Sequence, residues 1–336
     1  MISCGLDIAD KTFTASCLTI NPGALLDFKL VFYAQTFEQN VEGWEKLIKL
    51  FAAHHITPAD AWIIMEATGV YSEKIAHYLY ECGFAVYVEP PQKVKKAFQE
   101  REKSDPVDSR QIAEYGCRFF DKLHQWRPPD EIVEQIQTLL TARELFSKVQ
   151  TACKNARKSL QRKQRSFEQI ENFHSGIVKE CQKNIHAIEE EIKSLIKQNP
   201  RLQQIVSDLL TFKSLGFVVI IYLLIATDGF REIEYRKLAS YIGVCPFPYE
   251  SGTSVKRGKH ADGAGPANLR KNLYLASMRM MRTHPELKQY YERKLSEKKS
   301  GKLALNNLSN KILRIVCGMI LSGKPYMKHY RSSQPE

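Results

Sequence analysis

The chain has no long hydrophobic run. Its longest, residues 217–226, is about half of what a membrane span needs, so it reads as a buried core helix and the protein as one with no membrane partner. No secretory leader is legible either: Met1 runs straight into the strand-like Ile2-Ser3-Cys4-Gly5-Leu6-Asp7-Ile8. The eight cysteines stand at 4, 17, 82, 117, 153, 181, 245 and 317, with no CxxC and no Cys/His ligand spacing. That argues against a zinc site, and scattered single thiols fit a reducing, cytoplasmic setting. Glycine and proline are missing from 130–171, so nothing there breaks a helix. Acids are almost missing from 143–165, where Glu144 faces eight Lys and Arg.

What is present is a chain of 336 residues, 43% apolar, long enough for two or three domains with proper cores. Net charge is +12. Residues 1–127 hold 14 Lys/Arg against 17 Asp/Glu, and the other 209 residues hold 35 against 20. The basic surplus therefore lies behind the first domain, which points to a polyanion gripped by the later parts.

The first region reads as strands at 2–9, 12–20 and 29–36, a helix at 41–54, a strand at 61–67, a helix at 75–81, a strand at 85–89 and helices at 92–99 and 107–119. Three neighbouring strands followed by crossovers give a mixed sheet with helices on its faces, the order of a ribonuclease-H-like α/β domain. In that order Asp7 falls on the first, central strand and Glu66 at the end of the fourth. Each sits in apolar sequence, where an uncompensated charge is costly. Asp105 and Asp108 open the last helix, with Asp105 placed as its N-cap and Pro106 at its first turn. Three residues apart on a helix, they share a face. Plain capping and dipole stabilisation would also account for that pair. Four convergent carboxylates instead make an oxygen-rich site for Mg²⁺ or Mn²⁺.

Trp126-Arg127-Pro128-Pro129 punctuates the next boundary. A first helix is expected from 130 to about 171 and a turn at Asn172-Phe173-His174-Ser175-Gly176. A second helix follows with heptad-like Ile177, Cys181, Ile185, Ile188, Ile192 and Leu195. This is an antiparallel helical hairpin or a dimerising coiled coil. Arg143, Lys154, Arg157, Lys158, Arg162 and Lys163 in its first arm are candidate nucleic-acid contacts, since a solvated helix face would mix signs. The third region reads as mostly helical. Its stretch 249–259 reads as a loop rich in Ser, Gly and cations, and 268–282 reads as a basic helix carrying Arg270 and Lys271.

Gly5-Leu6-Asp7-Ile8, Met65-Glu66-Ala67-Thr68-Gly69 and Lys103-Ser104-Asp105-Pro106-Val107-Asp108-Ser109-Arg110, in this order, resemble the DEDD motif of bacterial insertion-sequence transposases related to the Piv DNA invertases, recombinases guided by a bridge RNA. Ser251-Gly252, Arg257-Gly258 and Leu269-Arg270-Lys271 resemble the C-terminal part of the same family. Lys213-Ser214-Leu215-Gly216 departs from that family's Pro-Gly-Ile-Gly, and the stretch after Gly258 is looser than its Lys/Arg/Gly-rich form. The resemblance implies a RuvC-like domain (1–127) with Asp7, Glu66, Asp105 and Asp108 as catalytic metal ligands. It further implies a coiled-coil linker that dimerises and binds RNA (128–200), and a transposase domain (201–330). Ser251 is there the implied nucleophile, Ser254 a weaker one, and Lys256, Arg257 and Lys259 stand beside them as nucleic-acid contacts. It implies donor and target DNA, a guide RNA, and homodimers pairing into a tetramer as partners. Two rival readings keep the residues but change the function: a metal-dependent Holliday-junction resolvase or nuclease without the serine step, and a non-catalytic nucleic-acid scaffold.

Overall fold

The structure, a computed structural model, describes residues 2–20, 28–98, 104–165, 168–231, 233–245, 247–251, 255–260 and 265–327, the side chains of 20, 247–251 and 255–260 excepted. The chain divides into two compact units, Met1–Pro128 and Pro129–Glu336.

The first unit runs β1 (Ile2–Ile8), β2 (Thr12–Ile20), β3 (Phe28–Glu38), α1 (Val41–Ala53), β4 (Ala61–Glu66), α2 (Val70–Glu81), β5 (Ala85–Glu89), α3 (Pro91–Ala97) and α4 (Asp105–Arg118). The sheet order is β3-β2-β1-β4-β5. The first three strands are antiparallel, and β4 and β5 run parallel to β1. Strand alternation divides β1 between two faces. Cys4, Leu6 and Ile8 enter a core with Ile63, Met65, Trp44, Phe51, Ile75 and Leu79. Ser3 and Gly5 face α4 instead: Ser3 Oγ donates to Ala113 O at 2.7 Å, and the helix backbone lies directly over Gly5. α1 is started by Asn40, whose Oδ1 accepts from Gly43 N at 2.9 Å.

The cysteines are not all single. Cys4 and Cys17 are bridged. They face each other in the β1–β2 register, so sheet pairing brings them together across 13 residues. No count of spacings along the chain reveals that.

The second unit is mostly helical: α5 (Glu131–Leu160), α6 (Glu168–Gln198), α7 (Pro200–Leu210), α8 (Phe217–Ala226), α9 (Tyr235–Ile242), β6 (Phe247–Ser251), β7 (Val255–His260), α10 (Ala267–Thr283), α11 (Pro285–Ser296) and α12 (Gly301–Ser322). α5 and α6 form an antiparallel hairpin, tied by Arg143–Glu189, Arg157–Ser175 and Gln161–Glu171. Its base, with Val133, Ile136, Ile192 and Leu195, belongs to the same core as α7–α12. α8 is the buried apolar helix the sequence suggests.

Two local expectations fail. The helix break lies at 161–165, and Asn172-Phe173-His174-Ser175-Gly176 sits inside α6. Charge, not glycine, marks the break. α5 ends on Arg157 and Lys158, and α6 begins with Glu168 and Glu171, each sign complementing the helix dipole at that end. Gly176 is tolerated within the helix at a cost of about 1 kcal/mol. The stretch 249–259 is not a plain loop either: β6 and β7 pair antiparallel through it, with Ser251 opposite Val255. Phe247 and Tyr249 in β6 and Val255 in β7 are strand formers, and they carry the pairing although Ser251 and Gly258 lie within the same strands.

Candidate active site

Close packing of α4 on β1 aligns the acids. A Cβ on Gly5 would stand 2.2 Å from Ala113 N and 2.3 Å from Ser109 O, so only glycine admits the helix there. Ser3 meets Ala113, and Gly5 meets Ser109 and Ala113. Two residues along a strand span about the same distance as four along a helix. Continuing that match places Asp7 over the first turn of α4, where Asp105 and Asp108 stand. Ser16, paired with Gly5, locks the seat by an Oγ–Oγ hydrogen bond of 2.9 Å to Ser109.

β4 brings the fourth acid. Leu6 pairs with Met65, so Asp7 and Glu66 follow side by side. Ile64, two residues before Glu66, packs against Ile112 and Tyr115 of α4, so Glu66 faces the same way. The electrostatics agree. Burial, then the negative charges of Asp108, Asp105 and Glu66, push the Asp7 carboxyl up from 3.8 to about 6, while the Lys95 ammonium pulls it down. Asp7 thus senses all three partners. No three of the four have oxygens all within 4.8 Å of one another, so the set is gathered but not collapsed.

The capping explanation of Asp105 does not hold. Ser104 is the N-cap, without a side-chain cap bond, and Asp105 and Pro106 are the first two helical residues. Neither Asp105 nor Asp108 accepts a hydrogen bond among the described residues, which leaves both carboxylates for another partner. A cluster of hard oxygen donors with unbalanced negative charge fits a divalent cation.

Two further residues near the site escaped the sequence reading. Glu89 pairs in register with Glu66 and is 3% exposed, its charge met by Lys93 Nζ at 2.9 Å. The Glu89/Lys93 spacing of four was the legible signal. Thr68 Oγ1, two residues beyond Glu66, is buried with no hydrogen-bond partner among the described residues.

The basic candidates divide into two groups. Arg143 is held by Glu189 at 2.7 Å, Lys154 by Gln150 at 2.8 Å and Arg157 by Ser175 at 3.1 Å. Arg270 donates to Ile242 O at 2.8 Å and Gly265 O at 3.3 Å, tying α10 to the end of α9. Lys158, Arg162, Lys163 and Lys271 are exposed, without a carboxylate partner among the described residues. Ser251, Lys256, Arg257 and Lys259 have strand backbones, but their side chains lie outside the described set, as do Lys103, Gly252 and Ser254 entirely.

Family models match both halves of the chain. The DEDD-type IS110 transposase model covers residues 4–163, and the model of the IS116/IS110/IS902 transposase family covers 206–292. The chain belongs to the IS110-type transposases. The pilin gene-inverting proteins of Moraxella bovis and Moraxella lacunata are each 25% identical over 329 residues, 96% of this chain and 97% of theirs. An uncharacterized insertion element IS110 protein of Streptomyces coelicolor is 29% identical over 142 residues, 42% of this chain and 34% of that protein. Among solved structures, Thermus thermophilus RuvC aligns with 38% of this chain and 100% of its own at 11% identity, with a TM-score of 0.29. An IS110-type transposase is a DNA-modifying enzyme, and its DEDD carboxylates agree with the use of a divalent metal. No helix among the described residues is long and apolar enough to cross a membrane.

Proposed function

We propose that this transposase cuts and rejoins DNA at sites chosen by a guide RNA, using Asp7, Glu66, Asp105 and Asp108 as a Mg²⁺ or Mn²⁺ site and Ser251 as nucleophile. The observation that carries the reading is the convergence of three carboxylates on Asp7. A divalent cation held there would neutralise charge on a phosphodiester and favour ionisation of an attacking hydroxyl. Ser251 Oγ forms a bond to phosphorus, its proton passes to solvent or a carboxylate, and the bond to one deoxyribose oxygen breaks. The resulting serine phosphoester keeps the energy for rejoining by another strand's hydroxyl. Lys256 and Arg257, which precede Gly258 in β7, would steady the non-bridging oxygens.

The exposed cations at the hairpin tip, Lys158, Arg162 and Lys163, support backbone contacts to RNA or DNA. Ile170, Phe173 and Ile177 stand exposed at heptad spacing on α6, with Phe173 at 64%. They favour hairpin-to-hairpin dimerisation and, with a second pairing, a tetramer.

The test is a trapping assay with purified protein, Mg²⁺, flanking non-coding RNA and labelled donor DNA. A protein–DNA band that survives denaturation and vanishes in both Ser251→Ala and Asp105→Ala is expected. Free cleaved ends made by Ser251→Ala but not by Asp105→Ala would instead mean a metal-dependent nuclease or resolvase. Activity without added RNA would remove the guide.

A further inference from the structure

α12 presents one face to a cavity of about 400 Å³ in the second unit. Lys311, Arg314, Ile315, Gly318 and Met319 recur on that face at spacings of three and one. The opposite wall is Glu286 at the start of α11 and the returning segment with Tyr326. That segment is well anchored. Tyr326 stacks on Phe212 at 4.2 Å, its amide donates to Thr211 Oγ1 at 2.8 Å and its hydroxyl donates to Glu286 Oε1 at 2.6 Å.

Three features of this groove bear on what it could hold. The first is charge. Lys311 Nζ lies 4.5 Å over the Tyr290 ring, which Arg293 and Lys294 also approach, and Arg314 lies 4.9 Å over Tyr235. Arg293 and Lys294 have Glu297, whereas neither Lys311 nor Arg314 has a carboxylate within 4.0 Å among the described residues. Partial burial, then repulsion from Arg293 and Arg314, lowers the Lys311 pKa, with Glu286 working against that shift. An anion would relieve the strain. The second is Gly318. It sits inside a long helix, where glycine costs about 1 kcal/mol, yet nothing stands within 4 Å of where its Cβ would be. Packing does not require glycine there, and its missing side chain leaves the groove's floor open. The third is the Glu286 carboxylate on the wall: its Oε1 accepts from Tyr326 and faces His284, and its buried Oε2 has no hydrogen-bond partner among the described residues. A carboxylate on a groove wall accepts from an exocyclic amine of a nucleobase.

We propose that this groove seats one unstacked nucleotide of a single-stranded nucleic acid, with its base on the Gly318–Met319 floor against Glu286 and its backbone phosphate on Lys311 and Arg314. A cavity of this size suits one small ligand moiety. The cationic rim selects an anion, the apolar floor a flat ring. The inference rests on the reading above that this protein holds nucleic acid. It adds a place where a strand must be unpaired.

The experiment is fluorescence anisotropy with the full chain and short labelled oligonucleotides: single-stranded DNA, single-stranded RNA and a duplex of the same sequence. Gly318→Leu fills the floor with a strong helix former in open space. It should weaken single-strand binding on the order of tenfold and leave duplex binding unchanged. Lys311→Ala with Arg314→Ala, on partly or fully exposed positions, should weaken single-strand binding at least as much. The larger loss, with DNA or with RNA, identifies the strand. Oligo(dC) should bind more tightly than oligo(dT), and Glu286→Gln should erase the difference. Single-strand binding by Gly318→Leu equal to wild type overturns the groove alone, as does an equal loss on duplex. A wild-type protein that binds none of the probes overturns the groove together with the nucleic-acid reading.

Discussion

The acidic site and the basic surfaces are built in opposite ways. Each carboxylate of the first unit is placed by backbone packing: β1 beside β4 in register, and α4 pressed onto Gly5. The cations of the second unit are placed by side-chain choice, and half of the candidates with described side chains are engaged within the fold, as Arg143 with Glu189 and Arg270 with two carbonyls. A site assembled from backbone geometry follows from periodicity and topology. A site assembled from long side chains does not, because the same arginine serves equally as a tie or as a phosphate contact.

The largest expected effect separates chemistry from stability. Asp7→Asn removes a proposed metal ligand and the centre of mutual repulsion together. DNA strand transfer should fall by a factor on the order of a thousand or more, while thermal unfolding moves up or stays unchanged. A parallel loss of fold and activity would mean that Asp7 is structural. Gly5→Ala should behave the other way. Its methyl meets the α4 backbone, so the first unit should lose about 1–3 kcal/mol, occasionally more, and activity should fall with it although no reacting group has changed. Unaltered unfolding in Gly5→Ala would break the account of how the acids are aligned.

The pH response is the next test. Asp7 has its carboxyl raised to about 6 from 3.8, so between these values the folded chain binds more protons than the unfolded one. The contribution of Asp7 to the stability of metal-free protein should therefore fall as pH climbs through that window, and Asp7→Asn should remove it. Denaturant midpoints of wild type and Asp7→Asn across pH 4 to 6 measure it, and a wild-type midpoint that rises relative to the variant contradicts the crowding of the four acids. The smallest effects divide the cations. Arg270→Ala should cost stability by about 1.5–3 kcal/mol, the value of hydrogen bonds to a charged group. Lys163→Ala should leave unfolding unchanged and weaken nucleic-acid binding a few-fold, with a shallower salt dependence. Identical behaviour of the two would erase the distinction between ties and contacts.

Much of the first unit was legible. Alternation in Ile2–Ile8 and the apolar run before Glu66 fixed strands whose ends carry acids, and the spacing of Asp105 and Asp108 fixed a shared helix face. What stayed hidden depends on contacts between elements. The Cys4–Cys17 bridge and the Glu66–Glu89 pairing exist only once strands are in register. The helix break at 161–165 contains neither Gly nor Pro, and its signal is a change of charge sign between helix ends. The β6–β7 pair hid in a stretch whose Gly and Ser content reads as loop.

Direct metal binding tests the central claim. Mn²⁺ titrated into the full chain, followed by its electron paramagnetic resonance signal, should show specific binding. Asp7→Asn, Glu66→Gln, Asp105→Asn and Asp108→Asn should each weaken it with the fold intact. Wild-type protein that takes up no Mn²⁺, or four folded variants that bind it as wild type does, would contradict a metal centre shared by β1, β4 and α4.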